Sequence, residues 1–170
     1  MSNRSPKLSV VKALPDAEIP KRSHPTDSGL DLHACRFERV YYIADEGLEA
    51  YHELRPDQTE LHLQPGCRAL VSTGICATVG PGYEIQIRPR SGLALKQGLT
   101  VLNTPGTVDE AFRAPLGVIL INHSSVPQTI KKGDRIAQAV VCPVILCDVV
   151  EVESLDETAR NTGGFGSTGA

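Results

Sequence analysis

The sequence predicts an all-β protein, an antiparallel sandwich or barrel of short strands. Short apolar runs recur along the chain between turns that contain Pro and Gly. The 15 Gly and 12 Pro among 170 residues favour many turns and short strands over long helices. Aromatic residues make up only 4% of the chain, so the core must be built mainly from Val, Ile, Leu and Ala. This length is typical of one domain.

The N-terminal part contains two predicted strands. Residues 8–11 form a short apolar run that favours a first strand. The segment 15–26 is polar and contains three prolines, so we predict a loop. Leu30 and Leu32 then alternate with Asp31, which would place both Leu side chains on one face of a strand and Asp31 on the other.

Residues 36–60 have the least regular pattern. We interpret this segment as an insertion with one helical turn, because residues 47–50 are compatible with a helix. We therefore predict a β-barrel domain over residues 1–154, with 36–60 as a probable insertion. Residues 155–170, which end in a Gly-rich sequence, are predicted to form a flexible C-terminal tail.

A regular strand pattern begins at residue 61. In residues 83–88, Tyr83, Ile85 and Ile87 alternate with polar residues, which indicates one buried and one solvated face. The predicted strands after residue 60 are 61–63, 69–71, 75–79, 83–88, 99–102, 106–108, 118–121, 136–146 and 149–152.

Charge and cysteine content exclude several classes of function. The net charge of −3 provides no basic field for a nucleic acid backbone. The five cysteines contain no CxxC pair, and the histidines show no zinc-ligand spacing, so buried thiols are expected rather than a zinc site. No apolar run has the length of a membrane span, and the N-terminus does not resemble a signal peptide. We expect a cytoplasmic protein with no nucleic acid or membrane partner.

The stretch 98–113 is the first candidate site. Two apolar runs, 99–102 and 106–108, flank the turn residues Asn103, Thr104 and Pro105, which predicts a tight hairpin. Asp109 follows directly. A carboxylate held at the rim of a hairpin suits a general base, whereas the alternative is a solvated Asp that ends a strand.

Two further stretches could hold an anion. Arg88 and Arg90 lie beside Ser91 and Gly92, and guanidinium groups, a hydroxyl and free backbone N–H groups suit phosphate oxygens. The alternative is a surface turn with solvated arginines. Gln138 lies within an otherwise apolar run, so its amide needs either a backbone partner or a ligand.

The Gly-rich tail has two interpretations. Residues 163–169, GGFGSTG, resemble a phosphate loop because glycines let backbone N–H groups approach an anion. Phe165 has no core of its own to join and could stack on a planar ligand. The alternative is a disordered terminus.

Together these stretches resemble one family, the trimeric dUTPases. Its five motifs appear here in order as SGLDLHA, RPRSGLA, NTPGTVDEAFR, GDRIAQAVV and RNTGGFGSTG, from Ser28 to Gly169. The resemblance implies a single-domain jelly-roll β-barrel of the dUTPase-like β-clip type. It also implies a homotrimer with shared active sites, and Mg²⁺-dependent hydrolysis of dUTP to dUMP and pyrophosphate. That reaction would limit uracil incorporation into DNA and supply dUMP for dTMP synthesis.

The resemblance also implies residue roles. Asp109 would activate the water that attacks the α-phosphorus, and Asp31 would anchor the water shell of Mg²⁺. Phe112, in place of the usual Tyr, would pack beneath the deoxyribose and exclude a 2′-hydroxyl. The other implied substrate-binding residues are Arg90, Ser91, Gly92 and Gln138 for the phosphates, Asn103, Gly106 and Val108 for uracil, and Arg160, Phe165, Gly166, Ser167 and Thr168 in the closing tail.

The sequence departs from the family pattern at Phe112, at Ala114 and Pro115, where a Gly is usual, and in the long segment 36–60. Two other functions share enough of the pattern to be considered. One is a dCTP deaminase, against which the complete fifth motif argues. The other is a regulatory nucleotide-binding protein in which hydrolysis is secondary.

Overall fold

The computed structural model describes residues 6–44, 49–159 and 161–162. Within these ranges the chain forms thirteen strands and one short helix, which confirms the all-β class. The strands are β1 (Ser9–Lys12), β2 (Leu30–His33), β3 (Arg36–Ile43), β4 (Glu49–Glu53), β5 (Glu60–Leu63), β6 (Arg68–Ser72), β7 (Ile75–Thr78), β8 (Tyr83–Arg88), β9 (Leu99–Val101), β10 (Gly106–Val108), β11 (Gly117–Asn122), β12 (Gln128–Lys131) and β13 (Arg135–Pro143); the helix, α1, is Ser91–Gln97.

Two larger antiparallel sheets enclose the core. One has the strand order β10-β8-β13-β2, and the other has the order β4-β3-β6-β11-β9. Two smaller sheets pair β1 with β7 and β12 with β5. A single cluster of buried side chains draws from both larger sheets. Its largest fully buried apolar members are Phe37, Leu32, Leu63, Ile75, Ile85, Leu116 and Leu120.

The predicted hairpin at residues 99–108 is wrong. Strand β9 pairs with β11, whereas β10 pairs with β8 in the other large sheet. The turn Asn103, Thr104, Pro105 therefore carries the chain from one sheet to the other. Each short run gains a longer, buried partner strand this way, and Pro105 lacks the N–H that a continuing ladder would need.

The helical turn predicted within residues 36–60 is also wrong for the part that the structure describes. Strand β3 pairs with both β4 and β6, so it is part of the five-stranded sheet. Phe37 and Val40 are buried in the core. On the outer face the Tyr41 and Tyr51 ring centroids lie 5.4 Å apart. The density of aromatic and β-branched residues favours strands, and whether 36–60 is an insertion stays a prediction.

The strand predicted at residues 149–152 is wrong as well. The last strand ends at Pro143, and residues 144–159 contain neither strand nor helix. From residue 145 onward the side chains of this segment are exposed, and Val149 is 95% exposed. The last ladder-like bond runs from the Val144 N–H to the Gly82 carbonyl oxygen. Apolar residues alone cannot form a strand without a neighbour; the domain boundary at residue 154 stays a prediction.

Helix α1 was not predicted. It follows Arg90, whose backbone is extended, and it ends at Gly98 with φ of 65°. The Gly98 N–H bonds to the carbonyl oxygens of Leu93 and Ala94, a left-handed end that favours glycine. A Cβ at Gly98 would also lie 2.8 Å from the Ser124 backbone nitrogen. None of the seven residues of α1 is fully buried and only Leu93 packs against the core, so the helix is too short to show a helical period in the sequence. No helix in the described ranges is long and apolar enough to span a membrane.

Candidate active site

Three of the predicted stretches meet in the four-stranded sheet. Gln138 of β13 stands opposite Asp31 of β2 on one side and Arg88 of β8 on the other. Residues directly opposite in neighbouring strands lie close together. The sheet thus joins sequence positions that are more than a hundred residues apart.

Asp31 forms the centre of an ion-pair cluster that consists of Ser23, Asp31, Arg90 and Arg135. Its Oδ1 lies 3.1 Å from Arg90 Nε, and its Oδ2 lies 3.1 Å from Arg135 Nη1. The Ser23 hydroxyl donates to Oδ2 over 3.1 Å. The carboxylate therefore fixes two guanidinium groups from distant parts of the chain, since Arg90 directly precedes α1 and Arg135 begins β13.

The Asp31 side chain is only 16% exposed, yet it is held as a carboxylate. Burial pushes its pKa upward, but the hydrogen bonds from Arg135 and Ser23 and the charge of Arg90 outweigh burial and lower the pKa below the ordinary value. Two cations surround one anion, so the cluster carries excess positive charge. Such a cluster suits phosphate oxygens.

Arg90 connects the cluster to helix α1. Its Nη1 also donates to the Arg135 carbonyl oxygen over 3.2 Å, and Ser91 and Gly92 follow as the exposed first residues of the helix. No acidic residue occurs in the first turn. A cavity of about 260 Å³ lies between Arg90, Leu93 and Arg135.

Gln138 has a backbone partner. Its Nε2 donates to the Pro89 carbonyl oxygen over 2.9 Å. Of the two partners that the sequence allows for this amide, a backbone group or a ligand, the backbone group is therefore present. A carboxamide has two N–H donors, so this bond leaves one of them for a ligand.

The turn before β10 is tightly packed. Asn103 is exposed, whereas Gly106 is buried. A Cβ at Gly106 would lie 3.2 Å from the Asn103 Nδ2, so the Asn103 amide rests against the backbone of the turn. Val108 is half-buried at the end of β10.

Asp109 and Phe112 lie on an exposed loop whose backbone is well anchored. The Phe112 N–H donates to the Asp109 carbonyl oxygen over 3.1 Å. The Glu110 carbonyl oxygen accepts hydrogen bonds from Thr78 Oγ1 at 3.1 Å and Arg113 Nη1 at 2.5 Å. The Phe112 ring is 41% exposed.

The structure does not bring Asp109 to the ion-pair cluster of the same chain. Val108 is opposite Ile85, which is opposite Val141, so Asp109 lies four residues along the sheet from Gln138 and two strands away. With about 3.3 Å per residue and about 4.8 Å per strand, that separation is roughly 16 Å. One water molecule cannot bridge it.

Comparison with known proteins decides the family. A family model described as dUTPase matches residues 56–169, which is more than half of the chain. The chain belongs to the dUTPase family. It is 46% identical over 162 residues to a deoxyuridine 5′-triphosphate nucleotidohydrolase of Picosynechococcus sp., which covers 95% of this chain and 98% of that protein. A relative of the same name from Wolinella succinogenes is 47% identical over 163 residues, with 96% and 94% coverage.

Solved dUTPase structures share the fold. A mutant dUTPase of Staphylococcus bacteriophage 80alpha with dUpNHpp has a TM-score of 0.72 and 22% identity, and the match covers 96% of this chain and 99% of that one. A mutant dUTPase from phage phi11 of S. aureus, described with a structural Mg(II) ion, has a TM-score of 0.69 and 20% identity, with 89% and 99% coverage. The jelly-roll fold expected from the family resemblance is therefore confirmed.

Two members of the ion-pair cluster were missed by the sequence analysis. The only signal for Arg135 in the sequence is its place inside the fourth dUTPase motif, GDRIAQAVV, because the pairing of β13 with β2 leaves no local signal. Ser23 lies in a polar loop that carries no motif, so only the structure reveals it. The five predicted tail residues lie outside the described residues: Arg160, Phe165, Gly166, Ser167 and Thr168.

The donor set of this dUTPase-family chain fits Mg²⁺ held mainly by substrate. Across the described ranges, no three His, Cys, Asp or Glu side chains are grouped to hold a metal ion. The Asp31 carboxylate has about four acceptor positions, and Arg90, Arg135 and Ser23 use three of them. One position remains for a metal-bound water, and Mg²⁺ commonly keeps several waters and binds substrate phosphates.

A groove larger than the cavity beside Arg90 lies elsewhere in the described part of the chain. It has a volume of about 760 Å³ and lies beside β3, β4 and the β5–β6 turn. None of the predicted site residues that the structure describes lines it. The candidate residues therefore lie on the four-stranded sheet and not in this groove.

Proposed function

We propose that this chain is a dUTP diphosphatase that hydrolyses dUTP to dUMP and pyrophosphate. The observation that carries the proposal is the ion-pair cluster beside Gln138. It assembles the first, second and fourth motifs of the dUTPase family into one cationic surface. Relatives that share almost half of their residues with this chain bear the name of that activity.

The cluster and Gln138 bind the triphosphate. Arg90 supplies a planar fork for phosphate oxygens, and Ser91 and Gly92 contribute a hydroxyl and backbone N–H groups at the start of α1. The free N–H of Gln138 donates to a phosphate oxygen. Because these groups are fixed before substrate arrives, little reorganisation accompanies binding.

Asp109 is the general base. Its carboxylate takes a proton from a water molecule as the water oxygen bonds to the α-phosphorus. The bond from the α-phosphorus to the oxygen shared with the β-phosphate breaks, and pyrophosphate leaves with that oxygen. Asp31 would hold Mg²⁺ through a water molecule beside the substrate phosphates, where the ion would neutralise part of their charge.

The turn before β10 selects the nucleoside. The Asn103 amide and the backbone of Gly106 and Val108 bind the uracil edge, which disfavours the amino group of cytosine and the methyl group of thymine. Phe112 packs beneath the deoxyribose. A 2′-hydroxyl against this ring would lose its water partners without gaining a hydrogen bond.

A homotrimer with shared sites completes the active site. The roughly 16 Å between Asp109 and Gln138, estimated from strand spacings, supports a site built from two chains. The exposed apolar side chains of residues 145–155 support further contact with a neighbour. A ring of three identical interfaces satisfies both, and the tail with Arg160, Phe165, Gly166, Ser167 and Thr168 closes over a neighbouring site.

A substrate panel tests the proposal. The purified protein is incubated with dUTP, dCTP, dTTP or UTP and Mg²⁺, with and without a chelator, while pyrophosphate and ammonia are measured. We expect pyrophosphate from dUTP only, at a rate that falls when Mg²⁺ is chelated. Ammonia from dCTP would indicate a deaminase instead, and tight dUTP binding without turnover would indicate a regulatory binding protein.

A further inference from the structure

Gly29 and Gln138 contact each other so closely that no side chain fits at position 29 while Gln138 keeps its present conformation. A Cβ at Gly29 would lie 1.9 Å from the Gln138 Oε1, 2.9 Å from its Cδ and 3.1 Å from its Cβ. Gly29 is not among the glycines with positive φ, so the backbone conformation does not require glycine there. The Gln138 side chain is what excludes a larger residue.

We infer that Gly29 is a positioning residue for Gln138, an inference that rests on the proposed function. The carboxamide of Gln138 lies between two backbone surfaces. Its Oε1 packs against Gly29, and its Nε2 donates to the Pro89 carbonyl oxygen over 2.9 Å. These two contacts fix the plane of the amide and direct its remaining N–H toward the phosphates.

Such fixation has a kinetic consequence. A free Gln side chain has three rotatable bonds, and ordering it costs free energy at the moment of binding. In this fold the Gln138 side chain is already ordered in the folded protein, before substrate binds. A displacement of about 1 Å in a substrate-positioning group can reduce the rate about 100-fold, so a methyl group at position 29 should act on catalysis.

The expected structural response is local. The two shortest contacts involve the far end of a flexible side chain, which can swing away, and only the 3.1 Å contact with the Gln138 Cβ requires a small shift of the strand. Gly29→Ala should therefore fold, with the Gln138 amide displaced from Pro89. Gly80 provides a matched control, because a Cβ there meets nothing within 4 Å.

A double-mutant cycle tests the inference. We expect Gly29→Ala to lower kcat/KM for dUTP about 10- to 100-fold, and Gly80→Ala to leave it unchanged. Gln138→Ala removes the amide and leaves only the 3.1 Å contact with its Cβ, so adding Gly29→Ala to it should change kcat/KM by less than about twofold, because contacting residues are not additive. If the two substitutions multiply instead, or if Gly29→Ala retains wild-type kcat/KM, Gly29 does not act through Gln138.

A second measurement separates this inference from the proposed function. The side-chain amide NMR signal of Gln138 is assigned by its loss in Gln138→Ala. It should shift in Gly29→Ala and stay in place in Gly80→Ala, whether or not dUTP is hydrolysed. An unshifted signal in Gly29→Ala overturns the inference, whereas a shifted signal in a protein without dUTP turnover would overturn only the proposed function. If Gly29→Ala alone is too unstable to purify while Gly29→Ala/Gln138→Ala folds, the steric clash between the two residues is established.

Discussion

The two halves of the candidate site are held in different ways. Around Asp31, the side chains bind one another: two guanidinium groups and a hydroxyl converge on a carboxylate that is largely buried. Around Asp109, the backbone is anchored, by Thr78 and Arg113 on the Glu110 carbonyl oxygen. Within the described residues, the Asp109 side chain itself makes no hydrogen bond or ion pair. The first half is assembled within one chain, whereas the second carries a carboxylate with no side-chain partner among the described residues.

This difference agrees with the role proposed for each half. A triphosphate brings concentrated negative charge, so the groups that bind it need fixed positions and a fixed charge before substrate arrives. A general base needs an acceptor that no protein donor has already satisfied. Pairing Asp109 as tightly as Asp31 would remove its capacity to take a proton from water.

The largest expected effect is on the base. Asp109→Asn keeps the size of the side chain and removes the proton acceptor, so kcat for dUTP should fall by about 10²–10⁴-fold. Binding of the non-hydrolysable dUpNHpp, measured by calorimetry, should change little. The matched control is Glu110→Gln, since Glu110 holds the loop through its backbone oxygen. Near-normal turnover in Asp109→Asn would refute the assignment.

The next prediction concerns the separation of the two halves. Asp109→Asn and a chain truncated before Arg160 should each form trimers without a complete site. Suppose that the base and the tail of one site come from different chains, and that the two variants are mixed equally, unfolded and refolded. About a quarter of the sites should then receive both an intact Asp109 and an intact tail. The mixture should then recover about that fraction of wild-type activity.

Mass spectrometry of the refolded mixture provides the control, because it shows whether mixed trimers have formed. A mixture that contains mixed trimers and remains as inactive as its parents would show that Asp109 and the tail act from the same chain. Wild-type chains refolded in parallel set the scale for recovery.

The sequence predicts the first half of the site better than the second, for physical reasons. The first half lies on or directly after strands whose apolar and polar residues alternate, as at Asp31, Arg90 and Gln138. That alternation determines which face of the sheet a side chain occupies. The strand at residues 83–88 is found with the predicted bounds. Pairing between distant strands leaves no local signal, which is why the Asp31–Arg135 contact was missed.

The errors around Asp109 and the C-terminus have a different origin. The runs at residues 99–102 and 106–108 look like the arms of a hairpin, since a turn signal cannot tell whether the strands on either side will pair with each other or with other strands. Residues 149–152 have the composition of a strand, but a strand also needs a neighbour. The local sequence determines the propensity of a segment to form a strand, whereas the rest of the fold determines whether a neighbouring strand is available to pair with it.

The third prediction concerns Phe112, which lies on the same exposed loop as Asp109. Because the proposed sugar selection rests on packing alone, Phe112→Ala should raise the activity on UTP relative to dUTP. The penalty for an unpaired hydroxyl is on the order of 1–3 kcal/mol, so the ratio of kcat/KM values should shift by about 5- to 150-fold. Phe112→Tyr keeps a ring and should retain the discrimination. An unchanged ratio in Phe112→Ala would show that the ring does not select the sugar.

The smallest expected effect concerns stability. Asp31→Asn leaves Arg90 and Arg135 without their carboxylate and should lower the free energy of unfolding by about 1–2 kcal/mol, an estimate that allows for the partial exposure of both arginines. Asp109→Asn should leave the free energy of unfolding unchanged, because its carboxylate has no partner within the described residues. Asp57→Asn is the surface control, since Asp57 lies 4.0 Å from Arg55 and both side chains are highly exposed.

The stability difference between wild type and Asp31→Asn should depend on pH. The pKa of Asp31 is lower in the folded protein than its ordinary value of 3.8, so the carboxylate stabilises the fold fully above that value. The stabilisation is lost as the pH falls through the lower pKa of the folded state. Urea unfolding should therefore show a constant difference between wild type and Asp31→Asn at pH 7 and pH 5, and a smaller one below about pH 4. A difference that already declines between pH 7 and pH 5 would mean that the two arginines do not hold Asp31 ionised.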